Sequence, residues 1–189
     1  MKRFLDALNH PADTFRSRPT AISFPLVLLT VFSVTLLDPL FTRIAFASEI
    51  PWSFDPARAI MLTAAGLATY PAICTAFWLL CRALGSRAAW MDYLTAWGIT
   101  FFPTLLCAIL VSAAEAWYYL FWNNSVLSVV LGILFIGILI WKAMLYVLFL
   151  QRVAGLKGAR LVGGLFLCGV AILVFAGVNA WIGLKTPIL

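Results

Sequence analysis

Five long apolar stretches, each able to cross a bilayer as a helix, leave this chain few ways to fold. They are Ile22–Phe41, Met61–Leu84, Thr95–Leu120, Val126–Leu150 and Leu161–Leu184. A hydrocarbon core about 30 Å thick takes roughly 20 helical residues per crossing. Inside it every backbone N–H and C=O must be paired, which leaves only helices and closed barrels. Barrel strands alternate apolar and polar positions, and these runs are continuous. The expected fold is an all-α polytopic bundle of five transmembrane helices, forming one domain over residues 1–189. Hydrophobic residues are 64% of the chain and charged residues 11%, a balance no water-soluble domain of this size can hide.

The net charge of +6 does not point to nucleic acid, because the basic residues collect at span ends, as topology signals do. Lys2, Arg3, Arg16 and Arg18 precede span one. Arg82 and Arg87 separate spans two and three, and Arg152, Lys157 and Arg160 separate spans four and five. The other side has Arg43, Arg58 and Lys185, a ratio of nine to three with the intraspan Lys142 set aside. The expected orientation is N-terminus cytoplasmic and C-terminus external, in a membrane of bacterial inner-membrane type. Residues 1–20 mix Phe4, Leu5, Leu8 and Phe15 with charges, the pattern of a short amphipathic segment on the cytoplasmic interface. Ala45, Phe46 and Ala47 resemble a signal-peptidase site. Asp38, Pro39 and Arg43 interrupt the approach to it, so span one is expected to be retained.

Chemistry-bearing motifs are absent. There is no phosphate-binding loop, no dinucleotide fingerprint, no paired-histidine zinc motif and no serine elbow. His10 is the single histidine, and it precedes a proline, where a loop residue is the plainer reading. Cys74, Cys81, Cys107 and Cys168 form no CxxC pair and read as small apolar packing residues. No catalytic residue, cofactor or metal ligand is expected.

Ionisable residues inside spans are costly and carry a functional hypothesis by default. Asp38, Glu115 and Lys142 qualify. At 1.5 Å per residue, Glu115 and Lys142 differ in depth by roughly 16 Å, too far for a direct pair. Asp38 and Glu115 share a level near the outer surface with Arg43 just above. These three form an outer polar layer or reach the outer headgroups separately. Lys142 has three readings: snorkelling to the cytoplasmic headgroups, facing carbonyls or hydroxyls inside the bundle, or meeting a carboxylate of a partner subunit.

The helices also carry packing signals. Ala64, Ala68, Ala72 and Ala76 recur every four residues, and small residues let helix backbones approach in lipid. Gly163 and Gly164 open a glycine-rich fifth span, read as packing inside the bundle or as a face for another chain. Pro71 and Pro103 each remove a helical hydrogen bond and are candidate kinks.

The punctuation of the chain resembles the Yip1 family of small five-span membrane proteins. Pro11, Phe15 and Pro19 punctuate the leader, and Tyr70-Pro71 marks span two. Gly85, Ser86, Arg87, Trp90, Tyr93 and Ala96 lead to Pro103 in span three. A turn from Val153 through Gly155 and Ala159 to Arg160 precedes the last span. The resemblance covers most of the chain. It implies a fold without agreed catalytic residues. Eukaryotic relatives act in membrane traffic and associate with small GTPases through a longer cytoplasmic leader. The leader here spans residues 1–20 and is similar to the short bacterial form.

The resulting expectation is a non-enzymatic accessory or scaffold subunit of a membrane assembly. Its partners would be the lipid bilayer and other membrane subunits or copies of itself. The alternative is a small-solute or lipid transporter or channel component using Lys142, Pro71 and Pro103.

Overall fold

The computed structural model describes residues 11–17, 20–46 and 55–184. Those residues are helical apart from short connections, and none of them is in a strand. A short helix, α1 (Pro11–Ser17), precedes the bent α2 (Thr20–Ala45) and the long α3 (Pro56–Ala83). The third crossing is α4 (Trp90–Ala96), a 3-10 turn (Trp97–Thr100) and α5 (Phe101–Ala116). A single-turn connector, α6 (Tyr118–Asn123), leads to α7 (Ser125–Arg152) and α8 (Ala159–Ile182). Among the described residues four spans are long and apolar enough to cross a membrane, and a fifth is counted when bent α2 is taken as one. This is a multi-pass membrane protein.

Local chemistry explains the helix ends. Asp55 caps α3 by accepting from the Ala57 and Arg58 amides at 3.0 and 3.1 Å, with Pro56 at the first helical position, where its missing N–H costs nothing. The same helix stops because Gly85 adopts φ 94°, which lets the Ser86 amide reach back to the Cys81 carbonyl at 2.9 Å and satisfy an otherwise orphaned acceptor. Asn124 caps α7 through Val126 and Leu127.

The two candidate-kink prolines stand differently to the helix breaks. α3 runs unbroken through Pro71. The Thr75 hydroxyl donates to the Pro71 carbonyl at 2.7 Å in the next turn. Pro103 is the third residue of α5, and the departure from α-helix lies just before it, at Trp97–Thr100. A sharper bend falls in α2, where Ile22–Leu37 and Pro39–Ala45 diverge by 41°. Pro39 cannot donate to the Thr35 carbonyl, and its ring crowds that turn.

The third crossing is the centre of the bundle. Two-thirds of its apolar window, 67%, is buried, against 17% for α7 and for α8. α2 lies along α5, α3 against α8, and α7 against both α5 and α8. α2 and the third crossing run parallel. A Cβ on Gly98 would stand 2.7 Å from the Ser23 carbonyl oxygen, and at the far end Phe41 meets Trp117 with ring centroids 5.6 Å apart.

One aromatic cluster joins five elements. Trp97 packs edge-on against Phe77 at 4.5 Å and Phe149 at 5.0 Å, and tilts over Tyr146 at 4.8 Å. Tyr93 and Phe15 also meet Phe149. Phe15 is only 2% exposed. The leader helix is therefore held by the bundle, rather than resting on a membrane surface alone, because a buried aromatic gains more from ring contacts than from an interface.

Candidate functional site

Lys142 lies on the inward stripe of α7. Leu145 and Phe149, three and seven residues on, are buried on the same face, the spacing of one side of a helix. The lysine is 3% exposed. Its Nζ donates to Thr104 Oγ1 on α5 at 2.6 Å and stands 5.8 Å from the centroid of the Tyr146 ring. A lysine tip in hydrocarbon is tolerated only where polar groups receive it, and Thr104, itself buried, is such a group. Of the three readings open for Lys142, the fold takes the bundle interior with a hydroxyl acceptor. Thr104 is eleven residues from Glu115, or about 16 Å along the helix, so the depth argument against a Glu115 pair agrees with the observed contact.

Glu115 and Arg43 both have exposed side chains, in the last turns of α5 and α2. The parallel register set by Ser23 with Gly98 and Phe41 with Trp117 puts Glu115 level with Leu40, and Arg43 about one turn beyond. Asp38 occupies the bend of α2, and its side chain lies outside the described residues, as do His10 and Lys185.

The packing candidates divide. Ala64, Ala68 and Ala72 are exposed and Ala76 is half-buried. Within the chain the alanine stripe is not the helix contact. α3 instead buries Gly66, Tyr70, Ile73, Cys74, Phe77 and Cys81, a face whose aromatic rings remove more surface from lipid. Gly164 is a true close approach, since a Cβ there would lie 2.8 Å from Leu156 and 3.4 Å from Leu84. Gly163 has open space beside it.

The punctuating residues hold the interior together. The Tyr70 hydroxyl donates to the Leu94 carbonyl at 2.5 Å, just ahead of the break in the third crossing. Tyr93 and Ser86 share a hydroxyl contact of 3.1 Å. Trp90 donates to Thr75 at 3.0 Å and Trp78 to the Ala88 carbonyl at 3.3 Å. Arg82 lies 5.1 Å over the Trp78 ring. A Yip1 domain model matches residues 5–178. This chain belongs to the Yip1 family. No curated protein and no solved structure matches it. In this Yip1 domain the family-like residues Phe15, Tyr70, Trp90 and Tyr93 are thus fastenings between elements, and Gly85 ends α3.

Several partners were invisible in the sequence. Thr104 gave no periodic signal, because α5 and α7 are apolar on all sides, and nothing in the leader paired Phe15 with Phe149 of α7. Asn179 on α8 is 1% exposed and meets Thr69 on α3 at 3.0 Å. Thr69 is also 2.9 Å from the Ala65 carbonyl. The nearer Asn179 atom is Oδ1, and one hydroxyl proton cannot serve both acceptors; with the Asn179 amide turned over, Thr69 donates to Ala65 and accepts from Asn179 Nδ2, which otherwise has no partner, a cross-helix bond of the kind that joins helices in lipid. Among the cysteines, Cys81 on α3 and Cys168 on α8 are buried in the same core cluster.

Proposed function

We propose that this Yip1-family membrane protein is a non-enzymatic accessory or scaffold subunit of a membrane assembly. The observation that carries this reading is the set of outward glycines on the two outermost spans. Gly132 and Gly137 on α7, and Gly163, Gly169 and Gly177 on α8, have no atom within 4 Å of where a Cβ would stand. Glycine costs a helix about 1 kcal/mol relative to alanine, and none of these five returns that cost by packing within the chain. Small outward residues let a neighbouring helix approach closely in lipid. The exposed alanines of α3 support the same reading. The neighbour is another membrane subunit or a second copy.

The orientation proposed is N-terminus in the cytoplasm and C-terminus outside, in a bacterial inner membrane. It is supported by the basic residues Arg82, Arg87, Arg152, Lys157 and Arg160, all exposed at one end of the bundle. Arg43 and Glu115 belong to an outer polar layer in this arrangement, and their positions about one turn apart near the same end of parallel helices support it. The alternative, a transporter or channel component, is favoured by the buried Lys142 alone. The cavity lined by Phe77, Trp97, Tyr146, Phe149, Leu150, Leu165 and Cys168 has a volume of about 10 Å³, room for one water at most, and Lys142 is not part of its wall.

The test is purification of the tagged full chain from its native membrane in mild detergent, with mass spectrometry of what co-purifies. A stoichiometric membrane partner, lost when Gly169 and Gly177 are replaced by leucine, is the expected result. A clean monomer would overturn the scaffold reading and make solute or lipid flux the next assay.

A further inference from the structure

We propose that Cys81 and Cys168 form a peroxide-sensitive dithiol pair that closes to a disulfide between α3 and α8. The argument begins with helix register. α3 and α8 run antiparallel, and three contacts fix their alignment. Leu84 lies against Gly164, Thr69 bonds Asn179, and Leu184 lies 3.7 Å from the Cβ position of Gly66. One turn inward from Leu84 is Cys81, and one turn inward from Gly164 is Cys168. The register therefore sets the two cysteines opposite one another. Both side chains are buried in the same core cluster, which also holds Tyr93. Both cysteines are free and buried. This departs from the sequence expectation that all four cysteines only fill space. Sequence spacing cannot reveal a pair 87 residues apart.

Access selects the oxidant. Cys168 lines the cavity of about 10 Å³ between Trp97, Tyr146 and Leu165. A space of that size excludes a bulky thiol or disulfide reagent and leaves only the smallest oxidants, with hydrogen peroxide entering as the lining side chains shift. The Cys168 sulfur attacks one peroxide oxygen. The O–O bond breaks, the thiol proton leaves with the departing hydroxide as water, and Cys168 becomes a sulfenic acid. The Cys81 sulfur then attacks the Cys168 sulfur. An S–S bond forms, the S–O bond breaks, and the Cys81 proton leaves with that hydroxide as a second water. Two thiols lose two electrons and one peroxide becomes two waters. The product fastens α8, one of the two outermost spans, to α3. Burial keeps the bond from bulky cellular thiols, since exchange requires access to a sulfur.

The experiment treats the purified full chain in mild detergent with graded hydrogen peroxide. Remaining thiols are alkylated after denaturation, and peptides are mapped by mass spectrometry without reduction. The expected result is loss of Cys81 and Cys168 alkylation in one-to-one proportion, with a Cys81–Cys168 linked peptide. Cys74 and Cys107 should alkylate as before. In Cys81→Ser the linked peptide should vanish and Cys168 should become trappable by a cyclic diketone as sulfenic acid. The wild-type map stands alone should that variant fold poorly. The proposal is overturned if Cys74 or Cys107 oxidises first, if Cys81 and Cys168 stay alkylatable, or if the bond formed joins two chains.

Discussion

The Lys142 amine on α7 and the Thr104 hydroxyl on α5 meet at 2.6 Å inside a bundle of apolar helices. Neither residue reads alone as part of a pair, since 38 positions separate them. Together they tie the central crossing to an outer one. Removing the acceptor while keeping the amine should be the more damaging change. Thr104→Val is expected to cost about 1–3 kcal/mol, the usual penalty for taking a partner from a buried polar group. Lys142→Met combined with Thr104→Val should recover part of that loss. Reversible unfolding in mixed detergent checks this, and equal loss in the single and double variants would refute the coupling.

Phe15 should act as a fastener for the leader. Phe15→Ala deletes its contact with Phe149 and is expected to cost about 3 kcal/mol, as large-to-small core changes do. Hydrogen exchange over residues 11–17 should rise well above exchange over α3. Unchanged protection there would mean that α1 is held by something other than its aromatic ring.

Two glycine substitutions should separate internal packing from outward packing. Gly98→Ala drives a methyl group to within 2.7 Å of the Ser23 backbone, where neither helix can yield cheaply. A loss of about 1–3 kcal/mol is expected from such overpacking, seen as a lower melting temperature. Gly169→Ala meets nothing within 4 Å, so the isolated chain should be as stable as wild type or slightly more so.

Orientation can be read by thiol labelling on intact cells, in a background with the native cysteines replaced by serine or alanine. A cysteine at Asn123 should react with a membrane-impermeant reagent, and one at Lys157 should not until the membrane is opened. The reverse pattern would invert the proposed topology.

Five crossings, their order and the ends carrying positive charge were legible because bilayer thickness and the need to pair every backbone group act on the sequence locally. Even the depth mismatch of Glu115 and Lys142 followed from helical rise alone. Tertiary structure decided which side of each span faces inward. Hydrophobic periodicity marks an inner face only where water lies outside, and here lipid is as apolar as the core. So the alanines of α3 turned outward while Tyr70 and Phe77 turned inward. Pro71 left its helix unbroken while Pro39 marked a bend. Lys142 found Thr104, and Cys81 found Cys168, through an antiparallel register that no run of residues along the chain encodes by itself.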